Sequence, residues 1–86
     1  MDSDKAIDAL GALAQHTRLD VFRLLIRHEP GGLPAGEVAK TLGVPQNTMS
    51  SHLAILARAG LVCSRRESRL IIYRAELATM NALVGF

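Results

Sequence analysis

Apolar positions along the 86-residue chain recur mostly at the three- and four-residue spacing of amphipathic helices. This spacing appears at both ends of the chain, in DKAIDALGALA and in ELATMNALVGF. In the first segment, acidic residues also occupy the first turn, where the helix dipole favours them. We therefore predict terminal helices over about residues 4–14 and 76–86. Their apolar stripes consist of Ile7, Leu10, Leu13, Leu77, Met80 and Leu83.

A second helix is predicted after a capping pattern, in which Thr17 is followed three residues later by Asp20. The segment PGGLP then ends this helix, because prolines and glycines do not continue it. We expect its buried stripe to consist of Leu19, Phe22, Leu25 and Ile26.

Two further helices follow within a few residues of each other, over AGEVAKTL and QNTMSSHLAILAR. Gly43 stands where a helix ends with a left-handed residue, and Pro45 lies where the next helix tolerates proline. The short helix is expected to bury Val38, Ala39 and Leu42. Two helices joined by a three- to four-residue turn with glycine are typical of a helix-turn-helix, here over about residues 35–59.

The longer of these helices has two unlike faces when its residues are placed about 100° apart. Met49, Leu53, Leu56 and Ala57 form an apolar stripe that predicts attachment to a core. Exposed helix faces usually carry Glu and Lys, because Asn, Thr and Ser favour helices less. We therefore interpret the opposite face as a contact surface rather than a solvated one. It consists of Asn47, Ser50, Ser51, Ala54 and Arg58.

The helical spacing ends at Gly60, and LVCSRRESRLIIYR follows. Its second half is rich in β-forming residues, and the polar RRESR predicts a hairpin tip that carries Arg65, Arg66 and Arg69. The result is a two-stranded wing over about residues 61–75. The predicted fold class is mainly α with a small β-hairpin wing, a winged helix-turn-helix of about five helices in one domain over residues 1–86.

Composition and charge narrow the functional classes. Apolar residues make up 49% of the chain, and the formal net charge is +2. The basic charge is uneven, since residues 58–75 carry five arginines against Glu67. No apolar run has the roughly 18 residues of a membrane span, and the acidic start is unlike a secretory signal. We therefore expect a cytoplasmic protein with no membrane partner; Cys63, the single cysteine, cannot form an internal disulfide.

A helix that enters the major groove must fit a width of about 12 Å and reach base edges with donors and acceptors. Amide and hydroxyl side chains near the start of the longer helix satisfy both conditions, and arginines of the wing reach phosphates. His52 is equally a phosphate contact or a packed histidine. The alternative interpretations are that the polar face of the longer helix is only solvent-exposed, and that the arginines of the wing only increase solubility. The candidate DNA-binding residues are Gln46, Asn47, Thr48, Ser50, Ser51, His52, Arg58, Arg65, Arg66 and Arg69.

The segments TRLDVFRLL, GEVAKTLGVPQNTMSSHLAILARAGLV and SRRESRLIIYR together resemble the bacterial ArsR-type transcriptional repressors. The resemblance covers about residues 7–80. It implies a homodimer that represses transcription by binding an operator palindrome in double-stranded DNA and that leaves the DNA when an inducer binds. The apolar stripes of the terminal helices agree with a dimer, because one small domain covers them poorly. They are therefore the predicted dimer interface.

The chain departs from this family in the residues that would bind an inducer. Family sensors hold metals through cysteines in the short helix or through Asp and His between the terminal helices, and neither set is present. We therefore predict no metal or cofactor within the chain, and Cys63 is expected to pack at the base of the wing. GGLPAGEVAKTLGVPQ and AELATMNALVGF most resemble the arsenic-responsive branch. This implies arsenical resistance and arsenite as inducer, which would require residues beyond Phe86. Ser68 stands where similar wings often have glycine.

Two other functional classes are weighed against DNA binding. A winged-helix module for protein–protein contact would present an apolar or acidic recognition face, whereas this face is polar and ends at Arg58. An enzyme would need a carboxylate pair, a nucleophile beside a base, or a phosphate-binding glycine loop, and none is recognisable. We therefore predict that the chain is not an enzyme.

Overall fold

A computed structural model describes all residues, 1–86. Five helices and a three-stranded antiparallel sheet form a winged helix-turn-helix, which confirms the predicted fold class. The elements in chain order are α1 (Ser3–Leu13), α2 (His16–Arg27), β1 (Leu33–Pro34), α3 (Ala35–Leu42), α4 (Gln46–Arg58), β2 (Val62–Glu67), β3 (Leu70–Ala75) and α5 (Leu77–Val84).

The core is aliphatic except for Phe22, and it contains no buried polar or charged side chain. α1 contributes only alanines to it, whereas α2 and α4 contribute its largest side chains. Full burial of one such side chain stabilises a fold by about 1.5–3 kcal/mol, so these contacts set the position of α4. The largest fully buried side chains include Phe22, Leu25, Met49, Leu53, Leu56 and Leu61.

The N-cap of α2 lies two residues before the predicted cap, and the helix buries a different face. The Gln15 side chain accepts a hydrogen bond from the Arg18 backbone N–H at 2.8 Å, so the prediction of a cap at Thr17 was wrong. Val21 and Leu24 are buried in place of Leu19 and Ile26, which are both exposed. Apolar residues lie on more than one face of α2, and its packing against α1, α3, α4 and β3 selects which face is inside.

The turn between α3 and α4 has the predicted glycine geometry. Gly43 adopts φ 67°, and the Val44 N–H donates to the Ala39 carbonyl at 3.0 Å, which ends α3. Val38 and Ala39 are buried, and Leu42 packs partly against the core. Ala57 of α4 is exposed, contrary to prediction, because the core contact of α4 is filled by larger side chains.

The wing differs from the predicted hairpin in three ways: its turn is shorter, a third strand lies at its edge, and Cys63 is exposed. β2 and β3 pair from Val62↔Ala75 to Glu67↔Leu70, which leaves a turn of only two residues after Glu67. β1 adds a third strand, pairing with β3 through Leu33↔Tyr73. A two-residue strand has no periodicity and was not predicted. Cys63 is exposed rather than packed, because strand alternation places it on the opposite face from buried Val62.

Candidate nucleic-acid interface

The predicted contact face of α4 is exposed along its whole length. Gln46, Asn47, Thr48 and Ser51 are exposed and form no side-chain hydrogen bond within the chain, so their polar groups remain available. The Ser50 hydroxyl donates to the Gln46 carbonyl at 3.0 Å and is therefore held against its own helix. On the opposite side, Met49, Leu53 and Leu56 are fully buried. α4 thus combines a rigid attachment with a small, polar outer face.

His52 lies at the boundary between these two sides of α4. Its side chain is partly buried, and its Nδ1 atom is buried without a hydrogen-bond partner. One ring nitrogen therefore points away from the exposed face. The structure gives His52 a packed ring, and only the remaining exposed part of it is open to a ligand.

The three wing arginines do not lie together at the tip. Arg65 and Arg66 belong to β2, on opposite faces, and only Arg69 lies in the turn. Arg65 is already engaged, because it donates to the Glu67 carboxylate at 2.8 Å and to the Gly31 carbonyl at 2.9 Å. Arg66 donates only to the Ser68 carbonyl, at 3.3 Å, and Arg69 forms no side-chain hydrogen bond. Arg66 and Arg69 are therefore the wing arginines most available to phosphate.

A second wing arginine holds the turn between α2 and β1. Arg74 donates to both carboxylate oxygens of Glu29, at 3.2 Å and 2.6 Å. With the Arg65–Gly31 hydrogen bond, arginines of both hairpin strands thus hold residues 29–31 against the wing. Sequence reasoning placed Arg74 only within a basic cluster. The two partners lie 45 positions apart, and no local pattern links them.

The Arg74 contact also changes the protonation of Glu29. Hydrogen bonding to Arg74, with the charge of that guanidinium, holds the pKa of the Glu29 carboxyl below its ordinary value of 4.5, against the opposing effect of desolvation. The same hydrogen bond and charge raise the pKa of Arg74. Stability from a carboxylate with a lowered pKa is present above the ordinary pKa and is lost as the pH falls through the lowered value.

We therefore expect Glu29→Gln to lower the thermal midpoint at pH 7. The difference from wild type should shrink as the pH falls from about 4.5 towards 3, because wild-type Glu29 then becomes neutral too. Thermal unfolding followed by circular dichroism at each pH measures this. Asp20→Asn removes an exposed carboxylate that has no ion pair and serves as the control. A difference between Glu29→Gln and wild type that stays constant from pH 7 to pH 3 would contradict the assignment.

The predicted dimer residues divide into two groups. Ile7 and Leu10 of α1 are 65% and 55% exposed, and Leu77 of α5 is also exposed. Leu13, Met80 and Leu83 instead pack partly against the core of their own chain. The last residues of the chain add Val84 and Phe86 as exposed apolar side chains that the predicted set omitted. Both terminal helices therefore present uncovered apolar surface.

The fold and the α4 face define the chain as a winged helix-turn-helix protein, and the comparisons give the family. A family model described as a helix-turn-helix domain matches residues 13–65. The transcriptional activator HlyU of Vibrio cholerae is 34% identical over 83 residues, which are 96% of this chain and 74% of HlyU. The chain belongs to the ArsR-type family of transcriptional regulators. It is a regulator and not an enzyme.

Two solved structures show the same architecture. An ArsR-like transcriptional regulator from Rhodococcus superposes with a TM-score of 0.84 at 28% identity, covering 95% of this chain and 74% of that one. The homodimeric winged helix-turn-helix DNA-binding domain of Mb0332 from Mycobacterium bovis gives 0.81 at 32% identity, covering 95% and 76%.

Two further findings concern what the chain can hold. None of the helices has the length and apolar character needed to cross a membrane. No three His, Cys, Asp or Glu side chains meet in a group that could hold a metal ion.

Proposed function

We propose that the chain is a cytoplasmic repressor, one DNA-binding unit over residues 1–86 that binds an operator palindrome as a homodimer. The observation that carries this proposal is the outer face of α4. Its side chains are exposed and mostly small, and all except Ser50 are free of hydrogen bonds within the chain, whereas its inner side is fixed in the core. Such a helix can lie deep in the major groove, with Asn47 and Gln46 able to make paired hydrogen bonds to adenine.

Phosphate contacts would come from both ends of this surface. The backbone N–H groups at the start of α4 favour phosphate oxygens, and Arg58 extends the face at the other end. Arg66 and Arg69 of the wing supply two further cations that the chain does not neutralise. Such contacts add affinity without sequence information, and they weaken as the salt concentration rises.

Dimerisation through α1 and α5 would bring two such surfaces to one palindrome. The exposed side chains of Ile7, Leu10 and Leu77 support this assignment, as does the homodimeric Mb0332 domain. Leu13, Met80 and Leu83 would support the interface from beneath, since they pack between it and the core. The two α4 helices would then meet major grooves about one helical turn apart.

Release from DNA by arsenite or another inducer, the remaining part of this proposal, follows the family resemblance and not a site within the chain. A soft metalloid site needs two or three thiolates, and Cys63 is the only cysteine. Arsenite could therefore act only through thiolates outside these 86 residues. The repressive sign of regulation likewise follows the family resemblance, and the relative HlyU is named an activator.

The test separates base reading from phosphate binding. Asn47→Ala should lower the preference for the operator over unrelated DNA by about tenfold, because one paired contact discriminates by about 1–3 kcal/mol. Arg66→Gln should instead weaken binding to all duplexes and reduce the slope of log K against log salt by about one. Fluorescence anisotropy with the chain's own upstream region, at several salt concentrations, measures both quantities.

Arg23→Gln is the matched control for Arg66→Gln, because it removes an exposed arginine of α2 and should leave both quantities unchanged. Identical behaviour of the Asn47 and Arg66 variants would show that their assigned roles are wrong. If the wild-type chain shows no sequence preference at physiological salt, the protein–protein module becomes the better interpretation. The outer face of α4 is polar and exposed, which favours DNA binding over a protein–protein module.

A further inference from the structure

A groove lies between α1, the end of α4 and α5, beside the proposed DNA and dimer surfaces, and it shares Arg58 with the DNA surface. It has two adjoining lobes of about 240 Å³ and 290 Å³. Asp8, Arg58 and Ala59 line both lobes. The first lobe is completed by small and apolar residues, including Gly11 and Ile55, and the second by Lys5 and Thr79 among others.

The charged groups of this groove are unpaired. The chain contains two ion pairs, Arg65–Glu67 and Arg74–Glu29, and neither involves the groove. The side chains of Lys5, Asp8 and Arg58 are exposed and form no hydrogen bond within the chain. Two cationic side chains and one anionic side chain, with the α-ammonium of Met1 beside them, thus line one concave surface. A ligand that matches them carries at least two negative groups and one positive group.

The volume of the groove restricts the choice of ligand, as its charges do. A water molecule occupies about 30 Å³ of liquid, so each lobe holds a molecule of roughly eight to ten heavy atoms. We propose that the groove binds an amino dicarboxylate of the size of glutamate. It would lie in the second lobe, where its carboxylates would pair with Arg58 and Lys5 and its ammonium group with Asp8. The alkyl chain would lie against Ala59, which lines the same lobe.

The groove side of α1 is distinct from its apolar stripe. At about 100° per residue, Lys5 and Asp8 each lie about 100° or more around the helix from Ile7 and Leu10, whereas Gly11 of the first lobe lies only about 40° from Ile7. A partner chain seated on Ile7 and Leu10 would therefore leave Lys5 and Asp8 accessible.

Binding at the groove would also weaken DNA binding, and this part rests on the proposed function. Arg58 lines the groove and also lies on the outer face of α4, about 20° around the helix from Asn47. A carboxylate that pairs with the Arg58 guanidinium competes with a DNA phosphate for the same donor. The ligand would thus act as an inducer by direct competition, without any rearrangement of the fold.

The first experiment measures ligand binding without DNA. In ¹⁵N–¹H NMR titrations of the full chain with L-glutamate up to about 10 mM, we expect saturable shifts at residues of the groove. Asp8→Asn should weaken glutamate binding several-fold, as expected for an ion pair at an exposed side chain. Glutarate, which lacks the ammonium group, should bind Asp8→Asn at least as tightly as wild type, because a repelling carboxylate is removed. Asp4→Asn, the same change outside the groove, should leave glutamate binding unchanged. Unsaturable shifts, or equal binding by Asp8→Asn and wild type, would overturn the site.

The second experiment measures DNA affinity by anisotropy, with sodium glutamate exchanged for sodium chloride at constant ionic strength. We expect glutamate to weaken operator binding by wild type several-fold more than operator binding by Asp8→Asn. An equal effect on both proteins would overturn the competition. If wild type binds glutamate but no DNA, the proposed function fails and the site stands. If it binds DNA but no glutamate, the site fails and the proposed function stands.

Discussion

Leu10→Glu is expected to produce a folded monomer with at least about 100-fold lower affinity for the operator palindrome. Leu10 is 55% exposed in the single chain, so a charge there disturbs the fold of one chain little. In a dimer interface the same carboxylate would be buried without a partner, at a cost of several kcal/mol. A monomer lacks the α4 of the partner chain, and it therefore loses the gain in DNA affinity of roughly 10²- to 10⁴-fold that two linked binding sites provide.

The control for this prediction is Ile26→Glu, which introduces the same charge at an exposed apolar residue of α2, at the end of that helix far from its junction with α1. It should remain a dimer and keep its operator affinity. Analytical ultracentrifugation gives the oligomeric state, and anisotropy gives the affinity. A Leu10→Glu protein that stays dimeric with unchanged affinity would refute the assignment of α1 to the interface, as would equal disruption by Ile26→Glu.

Gly32→Ala is expected to destabilise the fold by about 3 kcal/mol or more. Gly32 has φ +79°, and a Cβ atom there would lie 2.4 Å from the Tyr73 carbonyl oxygen and 2.7 Å from Cγ of Arg74. The left-handed backbone costs a residue with a side chain about 1–2 kcal/mol, and forced overpacking costs about 1–3 kcal/mol more. The backbone of β3 cannot move away without disturbing the wing, so this strain has little relief.

The neighbouring glycine provides the control. A Cβ atom at Gly31 would have its nearest contact 3.9 Å away, at the His28 carbonyl oxygen, and its φ is not in the left-handed region. Gly31→Ala should therefore change stability by less than about 1 kcal/mol, with either sign. Urea unfolding of both variants, analysed with a common m value, measures the difference. Similar midpoints for the two variants would show that the close approach of Gly32 to β3 carries little energy.

Local patterns along the chain were sufficient to predict the helices and to separate the exposed polar face of α4 from its buried face. Helical spacing depends only on neighbours a few residues apart, and Gly43 and Pro45 mark the turn before α4 by their own backbone preferences. The separation of Asn47 and Ser51 from Met49 and Leu53 follows from the same spacing. These features were predictable because each arises within one element.

Other features depend on contacts between distant parts of the chain. Periodicity could not choose the buried face of α2, because apolar residues occupy several of its faces and its neighbours select Val21 over Leu19. Arg65 and Arg74 looked alike as basic residues of the wing. Their partners at Gly31 and Glu29 lie 34 and 45 positions away. Only packing of the wing against the α2–β1 turn gives these two arginines a structural role, while Arg66 and Arg69 stay available for phosphate.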